Sequence, residues 1–124
     1  MFLTALEDTM PQPITITFDP ESSKFEFSPE TLRVPHGNQR IEFRLKTSGG
    51  GPAKATFDPK DGVHIKNGQG VFSTLDPGEK RWIEEDLNRA TEPTRYEYKV
   101  AILYQGTRFD SPDPFIVNDP PILA

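Results

Sequence analysis

Apolar residues return at every second position over most of this chain. "ITITF" puts Ile14, Ile16 and Phe18 on one side and Thr15 and Thr17 on the other. "KFEF" sets Phe25 and Phe27 around Glu26, and "RIEFRLK" alternates Ile41, Phe43 and Leu45 with Arg40, Glu42, Arg44 and Lys46. "YEYKVAILY" lines up Tyr96, Tyr98, Val100, Ile102 and Tyr104. A period of two is that of a strand with one face buried. Shorter strand candidates are "TLRV", "AKATF", "VHI", "GVFSTL", "KRWIEE" and "FIVN".

Turn formers separate these runs, as in "DPESS", "PHGN", "SGGGP", "DPKDG", "NGQG", "DPGE" and "DSPDP". Of the 13 prolines, five follow aspartate: Pro20, Pro59, Pro77, Pro114 and Pro120. Proline presets φ for the second position of a turn, and an aspartate before it accepts a backbone N–H two residues on, so each pair begins or ends a strand. The only helical candidates are "FLTALEDTM" and "EEDLNRATEP", the second a turn or two at most before Pro93. The pattern predicts an all-β chain: a single antiparallel Greek-key β-sandwich of seven to nine strands, immunoglobulin-like in type. The sandwich spans residues 13–120, with an N-terminal extension over 1–12 and a C-terminal tail over 121–124. Residues 63–85 divide into two or three strands. Because proline cannot donate to a ladder, "DPFIVNDP" reads as a strand of four or five residues at a sheet edge.

Leu, Ile, Val and Phe make up 30 of the 124 residues, enough to build a core rather than a disordered chain. The 19 acidic and 14 basic residues are dispersed and leave a net charge of -5. Nucleic-acid binding needs a concentrated basic stripe. The only clusters here are Lys80 with Arg81, and Arg40, Arg44 and Lys46 alternating as a solvated strand face does. No nucleic-acid partner is expected. The absence of cysteine removes disulfides, thiolate metal sites and thiol nucleophiles together. "MFLTALEDTMPQP" lacks the basic start and apolar run of a secretory leader, and no stretch approaches transmembrane length, so a cytoplasmic location without a membrane partner is expected.

From Phe25 to Gly78 the order of residues resembles a cupredoxin, the β-sandwich family of small blue-copper proteins. "FEFSPETLRVPHGNQRIEFRL" is similar to a turn, short strand, Gly turn and buried strand of that family's first half. "GGGPAKATFDPKDGV" falls where a cupredoxin carries its first copper histidine and an acidic loop, and "LDPGEKRWIEE" resembles the Pro-Gly-Glu turn and strand that follow. The resemblance implies a cupredoxin-like sandwich as the other arrangement. It does not bring a copper site, since a type 1 centre needs a thiolate and two imidazoles. Ala53, Lys54 and Ala55 occupy the first-histidine region, and "YEYKVAILYQG" holds neither Cys nor His. The C-terminal stretch resembles the bacterial DP-EP family of unknown function, through Asp113, Pro114, Asn118, Asp119 and Pro120, with Asp119 in place of Glu.

Other motifs are weighed against plain structural roles. "DPKDG" and the run "EED" (84–86) hold carboxylates, but a calcium loop alternates its acids over a longer stretch, so a turn explains "DPKDG". His64 falls opposite Val63 and Ile65, in solvent rather than beside a nucleophile. "SGGGP" lacks the lysine and helix of a phosphate loop. Trp82, Tyr96, Tyr98 and Tyr104 fit core packing, or, with Arg40 and Arg44, a flat face for binding another protein. The expectation is a non-catalytic interaction module without catalytic residues, metal or cofactor, whose partner is another protein or a second copy. Two alternatives remain: metal-ion or small-ligand binding through "DPKDG" and "SGGGP" at one end of the sandwich, and self-assembly through the strand edge at "FIVN".

Overall fold

Strands form where the alternating runs lie. The computed structural model describes residues 11–49 and 51–122. It contains β1 (Gln12–Asp19), β2 (Lys24–Ser28), β3 (Thr31–Val34), β4 (Gly37–Thr47), β5 (Thr56–Phe57), β6 (Val63–Ile65), β7 (Phe72–Pro77), β8 (Arg81–Asn88), β9 (Thr94–Tyr104), β10 (Thr107–Asp110) and β11 (Phe115–Asn118). Among the described residues there is no helix. The helical candidate over 84–93 is corrected: its first half is the end of β8 and the remainder is irregular. The other candidate, over 2–10, lies outside the described residues.

Two sheets form the sandwich. One runs β2-β1-β4-β8-β7; the other runs β10-β9-β11-β3, with β5 and β6 also on β9. The expected seven to nine strands are exceeded in number because two lines are broken. β5 and β6 follow one another along one side of β9, while β10 and β11 follow one another along the other. The sheets are mixed rather than wholly antiparallel, since β1 runs parallel to β4 and β3 parallel to β11. A period of two is common to both pairings and carries no direction.

The expectation that "FIVN" lies on an edge is also corrected. β11 is inside its sheet, between β9 and β3. The flanking Asp-Pro pairs still bound the strand, because Pro114 and Pro120 both fall outside Phe115–Asn118. Edge strand addition therefore loses the segment assigned to it.

Where alternation is cleanest, it sets the core. Ile14, Ile16 and Phe18 of β1, Ile41, Phe43 and Leu45 of β4, and Tyr98, Val100 and Ile102 of β9 are all buried. Aromatic rings cross between the sheets: Phe43 meets Tyr98 with centroids 5.3 Å apart, and Phe57 meets Trp82 at 5.8 Å. Full burial of each such side chain stabilises by about 1.5–3 kcal/mol. β10 follows from a two-residue hairpin loop, in which Gln105 (φ 50°) and Gly106 (φ 80°) both take positive φ. That pair of conformations matches the twist of the flanking strands.

Candidate functional site

β8 departs from the pattern of the other core strands. Its pairing sets Trp82 opposite Phe43, which turns Trp82 inward, and a period of two then sends Glu84, Asp86 and Asn88 inward with it. All four are buried, with Asp86 and Asn88 at 0% exposure. Arg81, Ile83, Glu85 and Leu87 take the outer face. The strand thus carries a row of polar side chains into the sandwich, where each must find partners or lose stability.

Three of the four do so. Trp82 Nε1 donates to Glu84 Oε2 at 2.8 Å, and the Thr74 hydroxyl donates to the same oxygen. Burial raises the Glu84 pKa above the ordinary carboxylate value, and these two bonds oppose the rise. Asn88 Nδ2 points at the carbonyls of Val34 (3.0 Å), Pro35 (2.9 Å) and Asp119 (2.9 Å), and its Oδ1 accepts from the Ala90 N–H. Asn88 thereby ties the end of β3 and the residue after β11 to the opposite sheet.

Asp86 is the exception. Its Oδ1 accepts from Asn118 Nδ2 at 2.9 Å across the sandwich, but its Oδ2 is buried without a partner, as is Asn118 Oδ1. Burial pushes the Asp86 carboxyl up to about 6. Tyr96 is raised by burial and then by the Asp86 charge.

Beside this row, β6 and β7 leave a cleft of about 210 Å³ between the edges of the two sheets, lined by His64, Ile65, Phe72, Thr74 and Glu84 among others. His64 is exposed on β6, as its alternation requires. The carboxylate it influences, Glu84, is already held by Thr74 and Trp82.

The residues marked in the sequence do not share a face. Trp82 and Tyr98 are core residues at 3% and 0% exposure, and Tyr96 and Tyr104 are half-buried on the inward side of β9. Arg40 and Arg44 are exposed on the outer side of β4, in the other sheet. The aromatic and arginine halves of the expected binding face are therefore separated. On the outer side, Arg44 Nη2 lies 3.0 Å from Glu42 Oε1 and Arg81 Nε lies 3.3 Å from Glu42 Oε2.

The acidic loops are occupied by their own chain. Asp58 Oδ1 accepts from the N–H groups of Lys60 and Asp61, which lowers its pKa, and Asp61 pairs with Arg108 at 2.9 Å. The Asp61 groove, with His64, Lys66, Lys99 and Arg108, shares no lining residue with the groove of Ser48 and Gly49 in "SGGGP". Among the described residues, no group of three or more His, Cys, Asp or Glu is placed to hold a metal ion. The segment "EED" lies in β8, where Glu84 and Asp86 point inward and Glu85 outward.

The C-terminal motif is anchored along its length. Asp113 accepts from Lys66 Nζ at 2.9 Å and lies 3.8 Å from Lys99 Nζ, and the Lys66 bond lowers its pKa. The Pro114 carbonyl accepts from Tyr98 N–H at 3.0 Å, and Asp119 makes two bonds with Arg33, at 3.1 and 2.6 Å. Pro120, which is half-buried, closes the strand after Asp119.

The comparisons with known proteins add no family. No family model matches the chain, and no curated protein matches it in sequence. No helix among the described residues is long and apolar enough to cross a membrane.

Proposed function

We propose that this chain is a non-catalytic interaction module that binds another protein through the outer face of its five-stranded sheet. One observation carries the reading. Glu42 points outward yet its side chain is only 10% exposed, because Arg44 and Arg81 close over it while remaining 52% and 61% exposed themselves. Two guanidinium groups are thus held in place before any partner arrives, so less side-chain freedom is lost on binding. Each retains donors that suit the carboxylates of a partner. Exposed Arg40 and half-buried Ile83 and Leu87 extend the same face with charge and apolar contact.

In this reading the protein is cytoplasmic, and the motif from Asp113 to Pro120 groups it with the bacterial DP-EP proteins as a copper-free, cupredoxin-like sandwich. Support comes from the use of that motif as a structural signature, each acidic or amide side chain being tied to a residue far away in the sequence.

The test is capture from host extract with the immobilised protein and its Arg40→Glu/Arg44→Glu variant, each checked for folding by circular dichroism. A partner retained by the former and lost by the variant is the expected result. Equal retention by both would remove this face from the proposal, and capture of nothing, with no self-association by sedimentation, would remove the module reading.

A further inference from the structure

Between the sheets, the contact of Asp86 with Asn118 is incomplete if the acid is ionised. The two side chains then present three acceptor oxygens and one NH2 group to each other in a site without water access. One oxygen is used, and the two that remain, Asp86 Oδ2 and Asn118 Oδ1, are the buried atoms without partners. Leaving two such acceptors unpaired on one bonded pair is costly, and a single added proton satisfies both. We propose that in weakly acidic solution Asp86 is a carboxylic acid in the folded protein and donates Oδ2–H to Asn118 Oδ1, closing a paired acid–amide ring that bolts β8 to β11.

The surroundings favour the neutral acid. From β9 the titratable neighbour is the Tyr96 phenol, which is neutral, and along β8 it is Glu84, whose charge would oppose a second anion. β4 presents Gln39 and Ile41, β7 presents Phe72 and Thr74, β11 presents Ile116, and β3 presents Leu32 and Val34, none of them charged. No cation contributes to the balance at Asp86, where burial raises the pKa and only the Asn118 bond lowers it. Rising pH would remove the proton, restore two unpaired acceptors and place an anion between the sheets. The loss falls on β11, the strand enclosed by the two Asp-Pro pairs, so the C-terminal motif becomes the part of the fold that senses protons.

Two measurements on the full chain decide this. The first follows the side-chain carboxyl carbons by NMR as pH is varied, with Asp86 assigned through the bonds to its own backbone. A midpoint at least a full unit above the ordinary aspartate value of about 3.9 is expected. A midpoint at or below that value would show an ionised Asp86 with some other partner, such as a bridging water, and would overturn the proposal. The second compares urea unfolding of the native chain and Asp86→Asn. An amide at position 86 can make the same ring without titrating. The native unfolding constant should gain up to about tenfold per pH unit between the ordinary aspartate pKa and the folded one, relative to the variant. Parallel pH profiles would also overturn it. If Asp86→Asn does not fold, the carboxyl titration of the native chain still gives the answer.

Discussion

Single side chains in this fold differ sharply in how well they are partnered, and their replacement should separate accordingly. Asn88 places one NH2 group against three carbonyls from two other parts of the chain. Asn88→Ala removes that donor and leaves buried acceptors behind, so a loss of about 3 kcal/mol is expected in urea denaturation. Tyr98 is the opposite case. It is fully buried against Phe27 and Phe43, and its hydroxyl has no partner. Tyr98→Phe keeps the ring and removes a desolvated polar atom, so stability should rise by about 1 kcal/mol in the same measurement. The inward position of Tyr98 is legible in the alternation of "YEYKVAILY". The role of Asn88 is not, because an asparagine beside a turn is commonly a turn residue and its three acceptors come from residues 31 to 54 positions away.

At the scale of strands, what can be read from the chain depends on whether one face is apolar. β1, β2, β4 and β9 are legible because their inward residues are apolar and their outward residues polar. β10 is missed because "TRFD" is short and charged, although the preceding Gln105-Gly106 is a hairpin signal. The polar row of β8 is missed for the inverse reason: in "RWIEEDLN" the inward residues after Trp82 are acids and amides. Trp82 alone holds the clue, since fixing its side fixes that of Glu84, Asp86 and Asn88. The binding face was misread with it, as aromatic side chains that could serve a partner are spent on the core. Trp82 also limits the loop before β6. A Cβ at Gly62 would stand 2.5 Å from Trp82 Cζ3 and 2.8 Å from the Asp58 carbonyl. Gly62→Ala therefore forces the loop away from the indole and should cost about 1–3 kcal/mol, with a matching change in tryptophan fluorescence. Unchanged stability and emission would show that the loop yields without cost.

For the molecule as a whole, acids at the surface and acids in the core pull the pH dependence in opposite directions. Asp113 is lowered by its Lys66 bond, Asp58 by the N–H groups of Asp61 and Lys60, and Asp19 by the Ser22 hydroxyl and the Glu21 N–H. Below its unfolded pKa, each takes up a proton more readily in the unfolded chain, so the stability it contributes is present above that value and lost as pH falls through the folded one. Glu84 and Asp86 are raised by burial, Asp86 to about 6. Their contribution has the reverse sign: it is complete below the unfolded pKa and lost as pH rises through the folded one. The two sets leave a maximum of stability at about pH 4, with one fall below it and another between about pH 4 and pH 6, above which the buried acids add no further change. Thermal unfolding from pH 3 to pH 8 should trace that maximum in the native chain. Replacing both buried acids, as Glu84→Gln/Asp86→Asn, leaves only the surface set and should flatten the fall between about pH 4 and pH 6 while keeping the fall below about pH 4. A native melting temperature that climbs steadily to pH 8 would mean that the buried acids are ionised throughout and that the polar row of β8 finds its compensation elsewhere.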